Sequence, residues 1–179
     1  PPIYQTAIFE QPDRKTGDTR LSDRGVDLKY SREENPTVRA LERTLSAIEE
    51  GEDTLAFSSG MAAISTLYLA MLKAGSRVVV PLESYGVTGR LAEELAKFGV
   101  KTARPWPSTE SIVEELRPGD FVLIETITNP NIRVIDVGEV AKTCRDLGAF
   151  LVVDNTFASP VIYRPLRDGA NIVVESLTK

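Results

Sequence analysis

The sequence contains no histidine and only one cysteine, Cys144. The absence of histidine excludes Ser-His-Asp triads, histidine metal ligands and imidazole proton shuttles. A single cysteine excludes an internal disulfide and favours a reducing compartment, so a cytoplasmic protein is expected. No stretch approaches the roughly 18 apolar residues of a membrane span, and the opening PPIYQTAIFE does not have the pattern of a signal peptide. Any catalysis must therefore use other side chains.

Basic charge is also scarce, because the formal net charge is -5 at pH 7. Nucleic acids and anionic membranes select basic surface patches, so neither is an expected partner. Hydrophobic residues make up 42% of the chain and charged residues 26%, which is the balance of a globular protein. With 179 residues, the chain can form one domain or a large part of a bigger one.

Short apolar runs alternate with helical patterns after an irregular, polar stretch over residues 1–35. Asn35 and Pro36 supply an N-cap and a first-turn proline, which predict a helix that ends near Gly51. Strands are predicted over residues 54–57, 77–81, 100–104, 121–125, 150–154 and 171–175. Helices are predicted over residues 61–73, 87–98, 111–116 and 137–147. The alternation predicts an α/β fold with a mostly parallel sheet flanked by helices, whose ligands bind at the carboxyl ends of the strands.

A glycine turn follows the first predicted strand, in the segment SSGMAAI (residues 58–64). Backbone amides at a helix N-terminus can bind an anion, and small residues such as Ser59 and Gly60 allow it to approach closely. A phosphate would fit the amides of Gly60 and Met61. The motif alone is equally compatible with a plain strand-to-helix turn.

Polar residues also stand at or after the ends of later strands. Asn129 follows one strand and Asp154 ends another. The aspartate can be a cap or a buried hydrogen-bond acceptor, or it can face a cationic ring nitrogen. The last strand leads to Ser176, Thr178 and Lys179, which offer two hydroxyls to a phosphate and an amine that can attack a carbonyl. A Ser-x-Thr-Lys run is weak evidence by itself.

Taken together, these features match the requirements of pyridoxal 5′-phosphate. A lysine forms a Schiff base, an acid pairs with the protonated pyridine nitrogen so that the ring accepts electrons, and a glycine turn anchors the phosphate. Tyr85, in the segment ESYGVTG, adds an aromatic side chain, although it could also be a surface residue at a helix start. The combination is stronger evidence than any one of its members.

Five segments, in this order, resemble the motifs of the pyridoxal-phosphate enzymes of cysteine and methionine metabolism. They are YSREENPT (30–37), SSGMAAI (58–64), ETITNPN (125–131), VVDNTFASP (152–160) and ESLTK (175–179). That family includes cystathionine γ-synthase, cystathionine γ- and β-lyases, methionine γ-lyase and O-acetylhomoserine sulfhydrylase. The resemblance covers essentially the whole chain and implies the large domain of a fold-type I pyridoxal-phosphate-dependent transferase.

The resemblance implies specific roles around the cofactor ring. Lys179 is implied as the lysine that binds the cofactor covalently and then removes the substrate's α-proton. Asp154 is implied to pair with the pyridine nitrogen, and Tyr85 to stack over the ring and relay protons. Asn129 is implied to lie near the phenolic oxygen of the ring. Lys179, Tyr85 and Asp154 are thus the expected catalytic residues.

For the phosphate, the resemblance implies backbone amides at Gly60 and Met61 and hydroxyls from Ser176 and Thr178. Ser59 is also expected to bind the cofactor. No metal is expected.

Two further residues are implied to act between subunits. Tyr30 and Arg32 match a pair that reaches the phosphate of the neighbouring subunit, and arginine suits this role because it is always charged and binds oxyanions bidentately. The expected partner is therefore a second copy of the chain, in a dimer that shares active sites and in the family's usual tetramer.

The same resemblance implies a domain organisation. Residues 1–35 are expected to form an N-terminal arm that reaches a neighbouring subunit, and residues 36–179 the first part of the cofactor-binding large domain. The C-terminal substrate domain is then absent, so a truncated chain is expected.

Three residues depart from the family's pattern. Glu175 stands where a histidine is common, Val87 where a second glycine is common, and Ile127 where a proline is common. The change at Glu175 puts the tuning of the cofactor in doubt, and the other two changes put the substrate preference in doubt.

The expected function is elimination or replacement at the γ or β carbon of a sulfur-containing or O-acylated amino acid. Cystathionine γ-synthase or γ-lyase is preferred, with methionine γ-lyase or O-acetylhomoserine sulfhydrylase as alternatives. A non-catalytic protein that keeps the fold, and an aminotransferase, are two other hypotheses. Intact Lys179, Tyr85 and Asp154 argue against the first, and the segment YSREENPT argues against the second.

Overall fold

The computed structural model of the protein describes residues 2–10 and 28–179. The chain divides into two compact units, Pro1–Ala56 and Phe57–Lys179. Part of the predicted N-terminal arm, residues 11–27, lies outside the described residues. The boundary expected at residue 35 stays a prediction, and the first helix belongs to the N-terminal unit.

The N-terminal unit contains the helix α1 (Pro36–Glu49). Asn35 caps it as predicted, because its side chain accepts a hydrogen bond from the amide of Thr37 at 2.9 Å. The C-cap residue is Glu50, whose φ of 60° is left-handed and ends the helix. Before the helix, Ile8 and Tyr30 form an isolated antiparallel bridge.

The strand predicted over residues 54–57 does not form, so this prediction was wrong. The segment is irregular, and its amides bind carboxylates instead of a neighbouring strand. The amide of Ala56 donates to Glu42 Oε1 at 2.8 Å, and the amide of Thr54 donates to Asp53 Oδ1 at 2.8 Å. An extended segment becomes a strand only when another strand takes up its backbone groups.

The second unit alternates strands and helices. Its strands are β1 (Arg77–Val79), β2 (Lys101–Ala103), β3 (Phe121–Glu125), β4 (Phe150–Asp154) and β5 (Ile172–Val174). Its helices are α2 (Gly60–Met71), α3 (Gly86–Glu94), α4 (Thr109–Glu115), α5 (Val137–Leu147) and α6 (Ser159–Ile162). The bounds of β3, α5 and β4 match the prediction. The short helix α6, and a 3₁₀ turn at Pro165–Asp168, were not predicted.

Within the described residues, the sheet has five strands in the order β2-β1-β3-β4-β5. All four pairings are parallel, as the alternation of elements predicts. The carboxyl ends of the strands therefore lie along one edge. Glu125 and Asp154, the last residues of β3 and β4, are partners in the register at that edge.

Helices pack on both faces of this sheet. On one face, Ile64 and Tyr68 of α2 and Ala92 of α3 pack against Val78 and Val152. On the other face, residues of α4 and α5 pack against alternate residues of the same strands, including Val79, Leu151 and Val153. Burial of both faces explains why β3 and β4 are almost continuously apolar.

No helix in the described part of the chain is both long enough and apolar enough to span a bilayer.

Candidate functional site

A cavity of about 230 Å³ opens at the carboxyl ends of the strands. It is lined by Ser59, Gly60, Met61, Ile64, Tyr85, Glu125, Ile127, Asn129, Asp154, Thr156, Phe157, Ser176, Thr178 and Lys179. The strand ends and the loops after them bring together residues up to 120 positions apart. This is the edge at which ligands of parallel α/β sheets bind.

The N-terminus of α2 forms one part of the cavity wall. Ser59 caps the helix, since its hydroxyl accepts a hydrogen bond from the amide of Ala62 at 3.0 Å. Gly60 begins the helix close to Ser176, so that a Cβ added to the glycine would lie 3.2 Å from the Ser176 Cβ. The first amides of a helix have no intrahelical acceptor and carry partial positive charge. We call Ser59, Gly60, Met61, Ser176 and Thr178 the anion cradle.

Hydrogen bonds donated by backbone amides connect the anion cradle to β4 and to Lys179. The amide of Ser176 donates to Thr156 Oγ1 at 2.9 Å, and the amide of Thr156 donates to Asp154 Oδ1 at 3.0 Å. The amide of Lys179 donates to the carbonyl oxygen of Ser176 at 3.1 Å. A turn after β5 therefore brings Lys179 into the same cavity wall as Ser176 and Asp154.

Two acids on adjacent strands form a second part of the wall, and we call Glu125 and Asp154 the carboxylate pair. The pKa of Glu125 is raised to about 7, mainly by burial and also by the neighbouring charge of Asp154, and this value already includes the lowering effect of hydrogen bonds from the amides of Tyr85 and Asn129. Burial also raises the pKa of Asp154, against hydrogen bonds from Thr156 that lower it. Buried acids of this kind interact favourably with a cation.

Tyr85 and Asn129 reach the cavity from two different loops. Tyr85 immediately precedes α3, and its side chain is partly exposed. Asn129 follows β3. The amides of both residues donate to the carboxylate of Glu125, with Asn129 at 3.0 Å from Oε2.

The cavity brings together most of the residues singled out from the sequence. They are Ser59, Gly60, Met61, Tyr85, Asn129, Asp154, Ser176, Thr178 and Lys179. Tyr30 and Arg32 lie in the N-terminal unit, where the Arg32 guanidinium is 4.9 Å from the centre of the Tyr30 ring. The individual roles of all these residues stay predictions.

Sequence reasoning missed Ile64, Glu125, Thr156 and Phe157 in the cavity wall. A signal for Glu125 was present, because it ends an apolar strand just as Asp154 does. Phe157 and Thr156 follow Asp154 within a segment that the sequence marks as a loop, and only the fold decides which loop side chains face the cavity.

The residues present fit pyridoxal 5′-phosphate. A Cβ at Gly60 would occupy the space beside Ser176, so the glycine leaves room where the helix amides meet an anion. The carboxylate pair suits a cationic ring nitrogen, and Lys179 supplies a primary amine in the same cavity. The anion cradle would hold the phosphate, Asp154 the ring nitrogen and Lys179 the aldehyde carbon.

Comparison with known proteins agrees with this chemistry. L-methionine gamma-lyase of Pseudomonas putida is 37% identical over 182 residues, which cover 100% of this chain and 46% of that protein. Cystathionine gamma-synthase of Mycobacterium bovis is 38% identical over 181 residues, which cover 99% of this chain and 45% of that protein. The chain thus spans about half the length of the curated relatives that it matches.

A solved structure is also similar. The putative O-acetylhomoserine (thiol)-lyase of Campylobacter jejuni superposes with a TM-score of 0.89 and 25% identity, over 99% of this chain and 45% of that one. That structure contains N′-pyridoxyl-lysine-5′-monophosphate. The expected fold, a fold-type I large domain, is confirmed.

The family model described as Cys/Met metabolism PLP-dependent enzyme matches residues 1–179, the full length of the sequence. The chain belongs to the family of pyridoxal-phosphate-dependent enzymes of cysteine and methionine metabolism.

Proposed function

We propose that the protein catalyses pyridoxal-phosphate-dependent elimination or replacement at the γ or β carbon of a sulfur-containing or O-acylated amino acid. The observation that carries this proposal is the position of Lys179 in one cavity with the anion cradle and the carboxylate pair. An amine, an anion site and a buried acid are the three protein groups that this cofactor chemistry requires.

When bound, the cofactor supplies an electron sink that makes the α-proton of an amino acid acidic. The protein residues position the reactants and move protons. Lys179 Nζ takes the α-proton and returns a proton to the substrate carbon chain. The negative charge of Asp154 would favour a protonated ring nitrogen, and Tyr85 would cover the ring and relay protons at its hydroxyl.

Within this class we favour cystathionine γ-synthase or γ-lyase activity, with methionine γ-lyase or O-acetylhomoserine sulfhydrylase as the alternative. Support for the class comes from relatives named cystathionine gamma-synthase, cystathionine gamma-lyase and L-methionine gamma-lyase, which have 37–38% identity to this chain. Because these differently named relatives are almost equally identical to this chain, the comparison supports the reaction class and does not select one substrate.

The first test is mass spectrometry of the protein after incubation with the cofactor and borohydride reduction. Reduction converts a lysine imine into a stable adduct, so the expected result is a phosphopyridoxyl increment on Lys179. Cystathionine, methionine and O-acylated homoserine with a thiol are then compared as substrates by release of α-keto acid and by formation of a new thioether. A chain that carries no adduct on Lys179 after this treatment would contradict the proposal.

We also propose that the active unit is at least a dimer, in which Arg32 and Tyr30 contact the phosphate of the neighbouring subunit. Support comes from the family membership and from the chemistry of arginine, which binds phosphate bidentately.

Hybrid oligomers test this arrangement. A Lys179→Ala subunit and an Arg32→Ala subunit are each expected to be inactive as homo-oligomers. If Arg32 acts across the interface, mixing them creates one site with both residues intact, and activity returns. If activity stays absent in verified hybrids, Arg32 acts within its own subunit and the shared site is ruled out.

A further inference from the structure

Glu125 connects the two loops that carry Tyr85 and Asn129. It is the last residue of β3 and its side chain is buried, with 6% of the residue exposed. Oε1 accepts the amide of Tyr85, and Oε2 accepts the amide of Asn129 at 3.0 Å. One carboxylate therefore joins the turn before α3 to the loop after β3, and both loops line the cavity.

A carboxylate is the side chain that this arrangement requires. The two amides bind different oxygens of the side chain, and an ionised glutamate offers an acceptor at both positions whereas a glutamine offers one acceptor and one NH₂ donor. Hydrogen bonds from amides to a charged acceptor are also stronger than those to a neutral one. Keeping an acid buried beside Asp154 is unfavourable in the absence of such partners, so both contacts stabilise the charged form.

The loop after β3 is itself well defined. Ile127 and Val134 form an antiparallel bridge, and the amide of Thr128 donates to the carbonyl oxygen of Arg133 at 2.9 Å. The tip of this hairpin-like loop carries Asn129. Fixing the amide of Asn129 therefore fixes the position of the whole tip relative to β3.

A second link joins the same two loops at the surface. Arg133 Nε donates to Glu83 Oε2 at 2.8 Å, and the side chain of the arginine is 44% exposed whereas that of the glutamate is 14% exposed. Because the arginine is open to water and salt, which screen its charge, this ion pair is expected to contribute little. The buried carboxylate is thus the stronger of the two links, and the surface pair provides a matched control.

We propose that Glu125 is a positioning residue, whose carboxylate sets the spacing of Tyr85 and Asn129 across the cavity by binding both of their amides. The proposal rests on the proposed function, since these two residues are the expected contacts of the cofactor ring. Glu125 acts through them.

The test compares Glu125→Gln with Glu83→Gln. Glutamine keeps the size of the side chain but turns an NH₂ group towards one of the two amides. The expected result for Glu125→Gln is an adduct on Lys179 after reduction, a cofactor dissociation constant raised about tenfold, and a weaker visible circular dichroism signal of the bound cofactor. For Glu83→Gln, both properties are expected within about twofold of the wild type.

If Glu125→Gln does not fold, Glu125→Asp is tested in its place. Aspartate keeps the charge, but its shorter side chain is expected to reach only one of the two amides. Amide hydrogen exchange on the unmodified protein adds a measurement that needs no variant, because the amides of Tyr85 and Asn129 are expected to be protected. Wild-type cofactor affinity and circular dichroism in both Glu125 variants would overturn the inference, as would rapid exchange of both amides.

Failure of the proposed function has a different signature. A wild-type protein without an adduct on Lys179 overturns the proposed function. An adduct on the wild type, together with unchanged cofactor affinity and circular dichroism in the Glu125 variants, overturns only the positioning role.

Discussion

The anion cradle and the carboxylate pair lie in one cavity wall but have opposite polarity. The anion cradle offers hydrogen-bond donors from backbone amides and hydroxyls, and it has no charged side chain. The carboxylate pair places two buried acids on adjacent strands, and burial raises the pKa of both. Under the proposed function, neutral dipoles would bind the anionic phosphate, whereas carboxylates would bind the cationic ring nitrogen.

This difference follows from the local fold. The N-terminus of a helix presents several amides at once, so an anion can be bound there without a buried cation. At the strand ends, negative charge comes instead from the side chains of Glu125 and Asp154, the last residues of β3 and β4. We expect substitutions in the carboxylate pair to reduce cofactor affinity more than substitutions in the anion cradle. Substitution of Lys179, which lies in the same cavity as both groups, should have a larger effect than either.

The largest effect is expected for Lys179→Ala. Under the proposed function the variant loses the amine that would bond to the cofactor and move the α-proton, so turnover should fall by about 10³-fold or more. The adduct after borohydride reduction should be absent. Lys142→Ala, at an exposed position on α5, is the control and should behave as wild type. An adduct of normal yield on another lysine in Lys179→Ala would show that the cavity lysine was wrongly assigned.

Much of this site could be predicted because its residues follow strands that the sequence marks clearly. β3 and β4 each consist of four apolar residues and a final acid, with turn signals before them, and their predicted bounds match the structure. The polar residues after them were therefore expected at one edge of the sheet. Lys179 was found in the same way, from its place just after the last strand.

Other features depend on contacts between distant residues, which local patterns do not encode. The role of Glu125 requires that the amides of Tyr85, 40 positions earlier, and Asn129 both point at its side chain. The segment over residues 54–57 has the composition of a strand, but Glu42 takes up the amide of Ala56. Local propensity could not anticipate a hydrogen bond to a residue on the preceding helix.

The carboxylate pair should also make stability depend on pH. The pKa of Glu125 lies near 7 in the folded protein, against an ordinary value of 4.5. Between these values the folded state binds more protons than the unfolded state, so the free energy of unfolding decreases as pH rises from 4.5 to 7. The shift corresponds to about 3 kcal/mol. Asp154 contributes with the same sign, because burial raises its pKa as well.

Urea unfolding of the cofactor-free protein between pH 4.5 and 8 measures this dependence. Glu125→Gln cannot titrate, so its stability should fall less over the same range, and the slope that remains reports mainly on Asp154 and on other acids. Bound cofactor should also reduce the slope, since a cationic ring nitrogen favours the ionised acids. Parallel pH curves for wild type and variant, both without cofactor, would mean that Glu125 does not titrate in this range.

Asp154→Asn should have the next largest effect. The variant keeps an oxygen that can accept a hydrogen bond from the amide of Thr156 but loses the charge that, under the proposed function, pairs with the ring nitrogen. Cofactor affinity is expected to fall by about 10- to 100-fold, in line with the loss of a charge-assisted hydrogen bond. Asp146→Asn, at an exposed position on α5, is the control. Equal affinities of the two variants would argue against a cation beside Asp154.

The smallest effect is expected in the anion cradle, for Gly60→Ala. The added Cβ would lie 3.2 Å from the Ser176 Cβ, a contact that a shift of a few tenths of an ångström relieves. Alanine also favours the helix more than glycine does, so overall stability should change by less than about 1 kcal/mol. The shift, however, moves the helix amides relative to the Ser176 hydroxyl. Phosphate binding should therefore weaken by about 1 kcal/mol, or about fivefold in cofactor affinity.

Gly86→Ala provides the matched control for this prediction. Gly86 is also the first residue of a helix, α3, but an added Cβ there meets no atom within 4 Å. Both substitutions should therefore change helix propensity alike, and only Gly60→Ala should weaken binding of the cofactor. Pyridoxal, which lacks the phosphate, should distinguish the two groups of the cavity wall. Its affinity should be insensitive to Gly60→Ala and still sensitive to Asp154→Asn, because in the proposed arrangement only the phosphate would contact the anion cradle.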